Sequence, residues 1–181
     1  LREGHRRTRH PAWSRQQILD VVDRIEYFTD LGVNAVMPLP FQEFQGENSL
    51  GYNGTDLFSP EMDYAVQAAD LPLYVGRVNR LLAAKGFGPL TAAQLTGQVN
   101  QFKAFIDLCH LFGIAVITDV VYNHAGGGFD DQSMYFFDFQ PRTTNNNSLY
   151  FTDRGHAGGL VFAFQRQEVR QFLIDNGKSL L

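Results

Sequence analysis

The sequence predicts an α/β fold in which helices cover a parallel sheet, and three observations carry that expectation. Stripes of apolar residues at helical spacing alternate along the chain with short runs that are β-branched and too short for helices. Those runs, Val33 to Leu39 (VNAVMPL) and Ile114 to Ile117, are apolar throughout rather than alternating, as strands buried on both faces are. The second run leads into Asp119, Asn123 and His124, and polar groups at the carboxyl end of a buried strand are where α/β folds place their chemistry.

Each element has its own signal. Residues 1–13 carry Arg2, His5, Arg6, Arg7, Arg9 and His10 with no apolar period, and read as a basic, solvated and disordered terminus rather than an arm for an anionic partner. Ser14 and Gln17 form a capping box before the stripe Ile18, Val21, Val22, Ile25, Phe28, Leu31, which Gly32 ends. Pro38 and Pro40 terminate the first strand. Phe41 to Pro60, rich in Gly, Asn and aromatics, reads as a binding loop. A helix near Leu73 to Lys85 has Pro72 at its start and Gly86 after it. A second capping box, Thr91 with Gln94, should open one longer helix with the stripe Leu95, Val99, Phe102, Ile106, Cys109 and a stop at Gly113. After the second strand, residues 125–165 lack a period and read as a long loop or small subdomain, followed by a helix through Val169, Phe172, Leu173 and Leu180. The domain expected is therefore 14–181.

Composition excludes several function classes. With 181 residues the chain is long enough for a core, and a net charge of −4 gives no support for nucleic-acid binding. No run is apolar enough to span a membrane, and without a secretory leader a cytoplasmic location is expected. Cys109 is the single cysteine and reads as a buried, inert thiol. The sequons at Asn53 and Asn146 carry no meaning without export. Gly126-Gly127-Gly128 lacks the Lys-Ser/Thr that makes a phosphate loop. Sixteen Phe and seven Tyr suit a large core or a sugar-stacking cleft.

Asp119-Val120-Val121-Tyr122-Asn123-His124 matches in full the DVVxNH signature at the end of the third barrel strand in the α-amylase family of glycoside hydrolases and glucanotransferases, which the chain resembles. LGVNAVMPLP followed by GYNGTDLFSPE is similar to that family's second strand and Gly-Tyr loop, and EVRQFLIDNGKSLL to the helix before its fourth strand. The resemblance implies a partial (β/α)8 barrel holding about strands two and three. It assigns substrate contact to Tyr52, Asp119 and His124. Tyr52 would form a wall of the subsite where the glycosidic bond breaks, Asp119 would hold an active-site Arg and reach toward substrate, and His124 would donate to a sugar hydroxyl. Asn123 corresponds to a calcium ligand in many relatives, although one amide is no site for an ion that takes about six to eight oxygens, and loop anchoring is the expected role. No cofactor is required. Asp130, Asp131, Asp138 and Asp153 could add oxygens but read as a solvated loop.

A retaining glycosidase needs two carboxyl groups about 5–5.5 Å apart. The family draws them from later strands, so the nucleophile and acid/base are expected beyond Leu181; Glu168 and Asp175 lie on a helix and fill neither role. The implied partner is an α-1,4-glucan or oligosaccharide, with the rest of the barrel in an intact parent. The long insert from Met62 to Leu90 and the segment GHAGGLVFAFQRQEVRQFL look closest to 1,4-α-glucan branching enzymes. A hydrolase of the amylase type, a non-catalytic glucan-binding relative, and a truncation that does not fold are the rival readings.

Overall fold

The structure, a computed structural model, describes residues 17–44, 49–126, 138, 148–153 and 158–180. The basic terminus, Ser14, Asp130 and Asp131 lie outside the described residues.

Among the described residues the chain runs through a 3-10 segment (Ile18–Arg24) directly into α1 (Ile25–Asp30), then β1 (Ala35–Val36), β2 (Gln42–Phe44), β3 (Gly54–Pro60), α2 (Leu71–Ala84), α3 (Gln98–Leu111), β4 (Ala115–Val116), β5 (His124–Ala125), β6 (Leu160–Val161) and α4 (Gln167–Ser179). The first helical stretch starts one turn later than Ser14 would set it. Gln17 flanks it, and the Asp20 carboxylate accepts the Gln17 backbone N–H at 2.7 Å.

β1 and β4 pair in parallel, Ala35 with Ala115 and Val36 with Val116. The ladder extends on both sides, since Ala115 N–H donates to Asn34 O and Ile117 N–H to Val36 O, each at 2.9 Å. A parallel pair needs a crossover, and α2 and α3 supply it. Their apolar faces meet the first helical stretch in one core built from Leu19, Val22, Ile25, Val78, Leu81, Phe102, Phe105 and Leu108. Phe41, just past β1, enters that core stacked on Phe102 with ring centroids 4.1 Å apart. A second core gathers Leu57, Ala125, Phe151, Phe162, Val169 and Leu173 beneath the loops after β4.

Several expectations need correction. The two parallel strands are not buried on both faces: Met37 is 64% exposed, Leu39 55% and Ile117 51%. The described helices cover one side of a pair that is only two strands wide, so alternate apolar side chains face solvent. Residues 41–60 are not all loop, because β2 and β3 form an antiparallel hairpin with register irregularities on either side of Glu43. The Thr91–Gln94 box exists, with Thr91 N–H donating to Gln94 Oε1 at 2.9 Å, but it caps a single 3-10 turn, Ala93–Leu95. Thr96 is extended and Gly97 sits at φ +85°, which breaks the helix before α3 begins. Within 125–165, β5 and β6 pair antiparallel and Phe151 bridges Phe162. Asp138 is not solvated: it is 3% exposed and accepts from Ser148 Oγ and from the backbone N–H of Leu149 and Tyr150 at 2.7–2.8 Å.

Candidate glucan-binding site

Tyr52 and Asn53 occupy the turn that leads into β3, and Gly51 fixes that turn. Gly51 has φ +92°, and a Cβ there would lie 2.2 Å from Pro40 O, so only glycine lets the chain pass so close to the end of the first parallel strand. The Tyr52 N–H donates back to Ser49 O at 3.0 Å. Tyr52 remains 40% exposed.

From this turn, consecutive side chains reach the two ends of the Asp119–His124 segment. The Tyr52 hydroxyl donates to Asp119 Oδ2 at 3.1 Å. That bond, more than burial or the carboxylate's charge, raises the Tyr52 pKa above its ordinary value, because losing the proton would set two anions side by side. Asn53 Oδ1 lies 3.0 Å from His124 Nε2, and Asn53 Nδ2 donates to Gly158 O at 3.0 Å. The second bond fixes which way the amide points, so His124 must be the donor through Nε2–H. Asn123 Nδ2 lies 3.3 Å from the other ring nitrogen, Nδ1, which completes a set suited to the neutral Nε2–H imidazole.

β5 and β6 hold the imidazole from behind. His124 pairs with Val161 across the strands, and a Cβ on Gly159 would sit 1.9 Å from Ala125 O and 3.0 Å from His124 Cδ2. Gly159 is thus required for the backbone to close over His124. Two hydrogen-bonded groups, Tyr52 with Asp119 and Asn53 with His124 and Asn123, are brought side by side through the adjacent residues 52 and 53, past the carboxyl ends of β1 and β4. Asn53 is the member that sequence reasoning missed; it appeared only as a sequon, although a polar residue next to Tyr52 in a Gly-flanked turn was the available signal.

The arrangement can stack one sugar face on the Tyr52 ring and offer polar groups to hydroxyls around it. Among the described residues no group of three or more His, Cys, Asp and Glu side chains converges to hold a metal ion, and the Asn123 amide lies against His124. A separate cavity of about 510 Å³ opens between α2 and α3, lined by Val78, Leu82, Phe87 and Leu108 among others, and shares no residue with the cluster.

No family model matches the chain. It is 24% identical over 160 residues to the malto-oligosyltrehalose trehalohydrolase of Deinococcus radiodurans, covering 88% of this chain and 20% of that protein. It is 26% identical over 184 residues to the chloroplastic isoamylase SU1 of Zea mays, covering 93% and 20% of the two chains. With the 1,4-alpha-glucan branching enzyme of Prochlorococcus marinus it shares 26% identity over 152 residues, 84% of this chain and 15% of the other. Two solved structures share the fold. They are the catalytic module of the multi-modular glycogen-degrading pneumococcal virulence factor SpuA (20% identity, TM-score 0.57, 91% of this chain and 21% of that one) and the alpha-amylase of Geobacillus thermoleovorans complexed with acarbose (17%, 0.52, 90% and 30%). The chain spans about a fifth of the length of the curated relatives it matches. In sequence the chain is thus similar to glycoside hydrolases and glucanotransferases of the α-amylase family, and in fold to alpha-amylase catalytic modules.

Proposed function

We propose that the chain forms part of the substrate-binding wall of an α-amylase-type (β/α)8 barrel, with β1 and β4 as its second and third strands, acting on α-1,4-glucan. The observation that carries this reading is the double clamp, in which Tyr52 holds Asp119 and Asn53 holds His124. A stacking ring beside a fixed carboxylate is chemistry that suits a glucosyl unit, with apolar contact on its face and a directional acceptor at its rim.

In the intact protein the reaction is a retaining double displacement, and this stretch binds and orients the sugar. Asp119 is committed to the Tyr52 hydroxyl, while Glu168 and Asp175 are exposed on α4, so none is positioned as one of a close carboxylate pair. The 181-residue chain alone is therefore expected to convert no α-glucan; measurable release of sugar from glycogen by the purified chain would refute this.

Within the family we favour transfer, as in branching enzymes, over hydrolysis. The segment GHAGGLVFAFQRQEVRQFL and the matches to branching enzymes support that choice. Incubating the full-length protein with amylose tests it: new α-1,6 linkages are the expected product, and shorter linear chains alone would count against transfer.

A further inference from the structure

We infer that Asn176, through the Tyr122 hydroxyl, is the positioning residue that sets the Asp119–His124 segment against the Tyr52–Asn53 turn. This inference rests on the glucan-site reading above for its purpose, though not for its geometry. Asn176 sits on α4, is 0% exposed, and lies outside the cluster itself. Its Oδ1 accepts from Tyr122 Oη at 2.7 Å and from Gln42 Nε2 at 3.0 Å, while its Nδ2 donates to Leu57 O at 2.6 Å. Gln42, 2% exposed, sends Nε2 to the same carbonyl at 2.7 Å.

One amide therefore ties together three stretches that are distant in sequence. Leu57 belongs to β3, four residues past Asn53 in the turn that presents Tyr52 and Asn53. Gln42 belongs to β2, the partner strand of that hairpin. Tyr122 lies between Asp119 and His124, in a stretch with no strand pairing of its own from Asp119 to Asn123. Asn123 O accepts from Phe162 N–H at 3.2 Å at the far end of that stretch, and the part-buried hydroxyl–amide bond of Tyr122 fixes its height over the core one residue earlier. A buried amide with both ends engaged is costly to disrupt, which makes it a firm reference point. A shift of α4 would move both walls of the cleft together, and loss of the Tyr122 bond would uncouple them.

The test uses the full chain with Tyr122→Phe, which removes one oxygen and keeps the ring, and Asn176→Ala as the stronger change. Asn79→Ala is the control, since it breaks a comparable side-chain bond to Leu90 backbone away from the cleft. The first readout is the set of His124 imidazole nitrogen chemical shifts, which report tautomer and exchange. Tyr122→Phe should move His124 from its single Nε2–H signature toward mixed tautomers, and Asn79→Ala should not. The second readout is calorimetric titration with maltoheptaose, where Tyr122→Phe should weaken affinity about three- to tenfold, or about 0.7–1.4 kcal/mol. An unchanged His124 signature in Tyr122→Phe, or equal changes in Tyr122→Phe and Asn79→Ala, overturns the positioning role. If wild-type chain does not bind maltoheptaose, the glucan reading fails while the His124 signature still decides the positioning. If Asn176→Ala does not fold, Tyr122→Phe decides alone.

Discussion

Gly51 and Tyr52 show how much one position can decide. Because a Cβ at 51 would meet Pro40 O and the backbone is left-handed there, Gly51→Ala should lower unfolding stability by about 1–3 kcal/mol in urea titration. Unchanged stability would mean that the turn does not pass so close to the strand end. Tyr52→Phe should behave differently. Its hydroxyl is at the surface, so stability should stay within about 0.5 kcal/mol of wild type. The Tyr52 pKa lies above its ordinary 10.0, so the Tyr52–Asp119 bond is intact below that ordinary value and is lost as pH rises through the raised one. Ultraviolet titration should show one high-titrating tyrosine fewer in Tyr52→Phe. The signature residues Asp119 and His124 were legible in the sequence because a carboxylate and an imidazole have no packing reason to follow an apolar strand. Asn53 was not, because its role depends on a contact with residue 124 that no local pattern encodes.

At the scale of elements, α3 illustrates what periodicity reveals and what it hides. Its stripe was readable, and Phe102 and Cys109 are buried as the spacing requires. The break at Gly97 was not readable, because Leu95 keeps the apolar phase across it while the backbone leaves the helical region at Thr96 and Gly97. Phe102→Ala removes the ring stacked on Phe41 and should cost about 3–5 kcal/mol. Cys109 offers a pH test of the same packing, since burial pushes its thiol from 9.0 up to about 11. A raised acid pKa stabilises the fold below the unfolded value and loses that contribution as pH climbs through the folded one, so the window is about pH 9 to 11. Over it the wild type should lose about 2–3 kcal/mol more than Cys109→Ala. Parallel losses in the two proteins would contradict burial of the thiol.

For the whole molecule, the sequence announced helices over a parallel pair but not how thinly that pair is covered. Burial on both faces was inferred from apolar runs, and a run records only what its side chains could bury, not what is present to bury them. Met37, Leu39 and Ile117 consequently remain at the surface. The hairpin of β2 and β3 was hidden for the opposite reason. Its strands carry Gly, Asn and Asp, and are held by Gln42, Asn176 and backbone carbonyls rather than by an alternating apolar face. Beneath the site, buried bonds tie the same hairpin to α4 across more than a hundred positions, which is why the site is a property of the folded chain and not of its signature alone. The central claim is that this cleft binds α-1,4-glucan through Tyr52 and His124. Calorimetric titration of the chain with maltoheptaose, beside Tyr52→Ala and His124→Ala, tests it most directly. Saturable binding by wild type that each substitution weakens at least about tenfold is the predicted result. No saturation by wild type, or wild-type affinity in both variants, would contradict it.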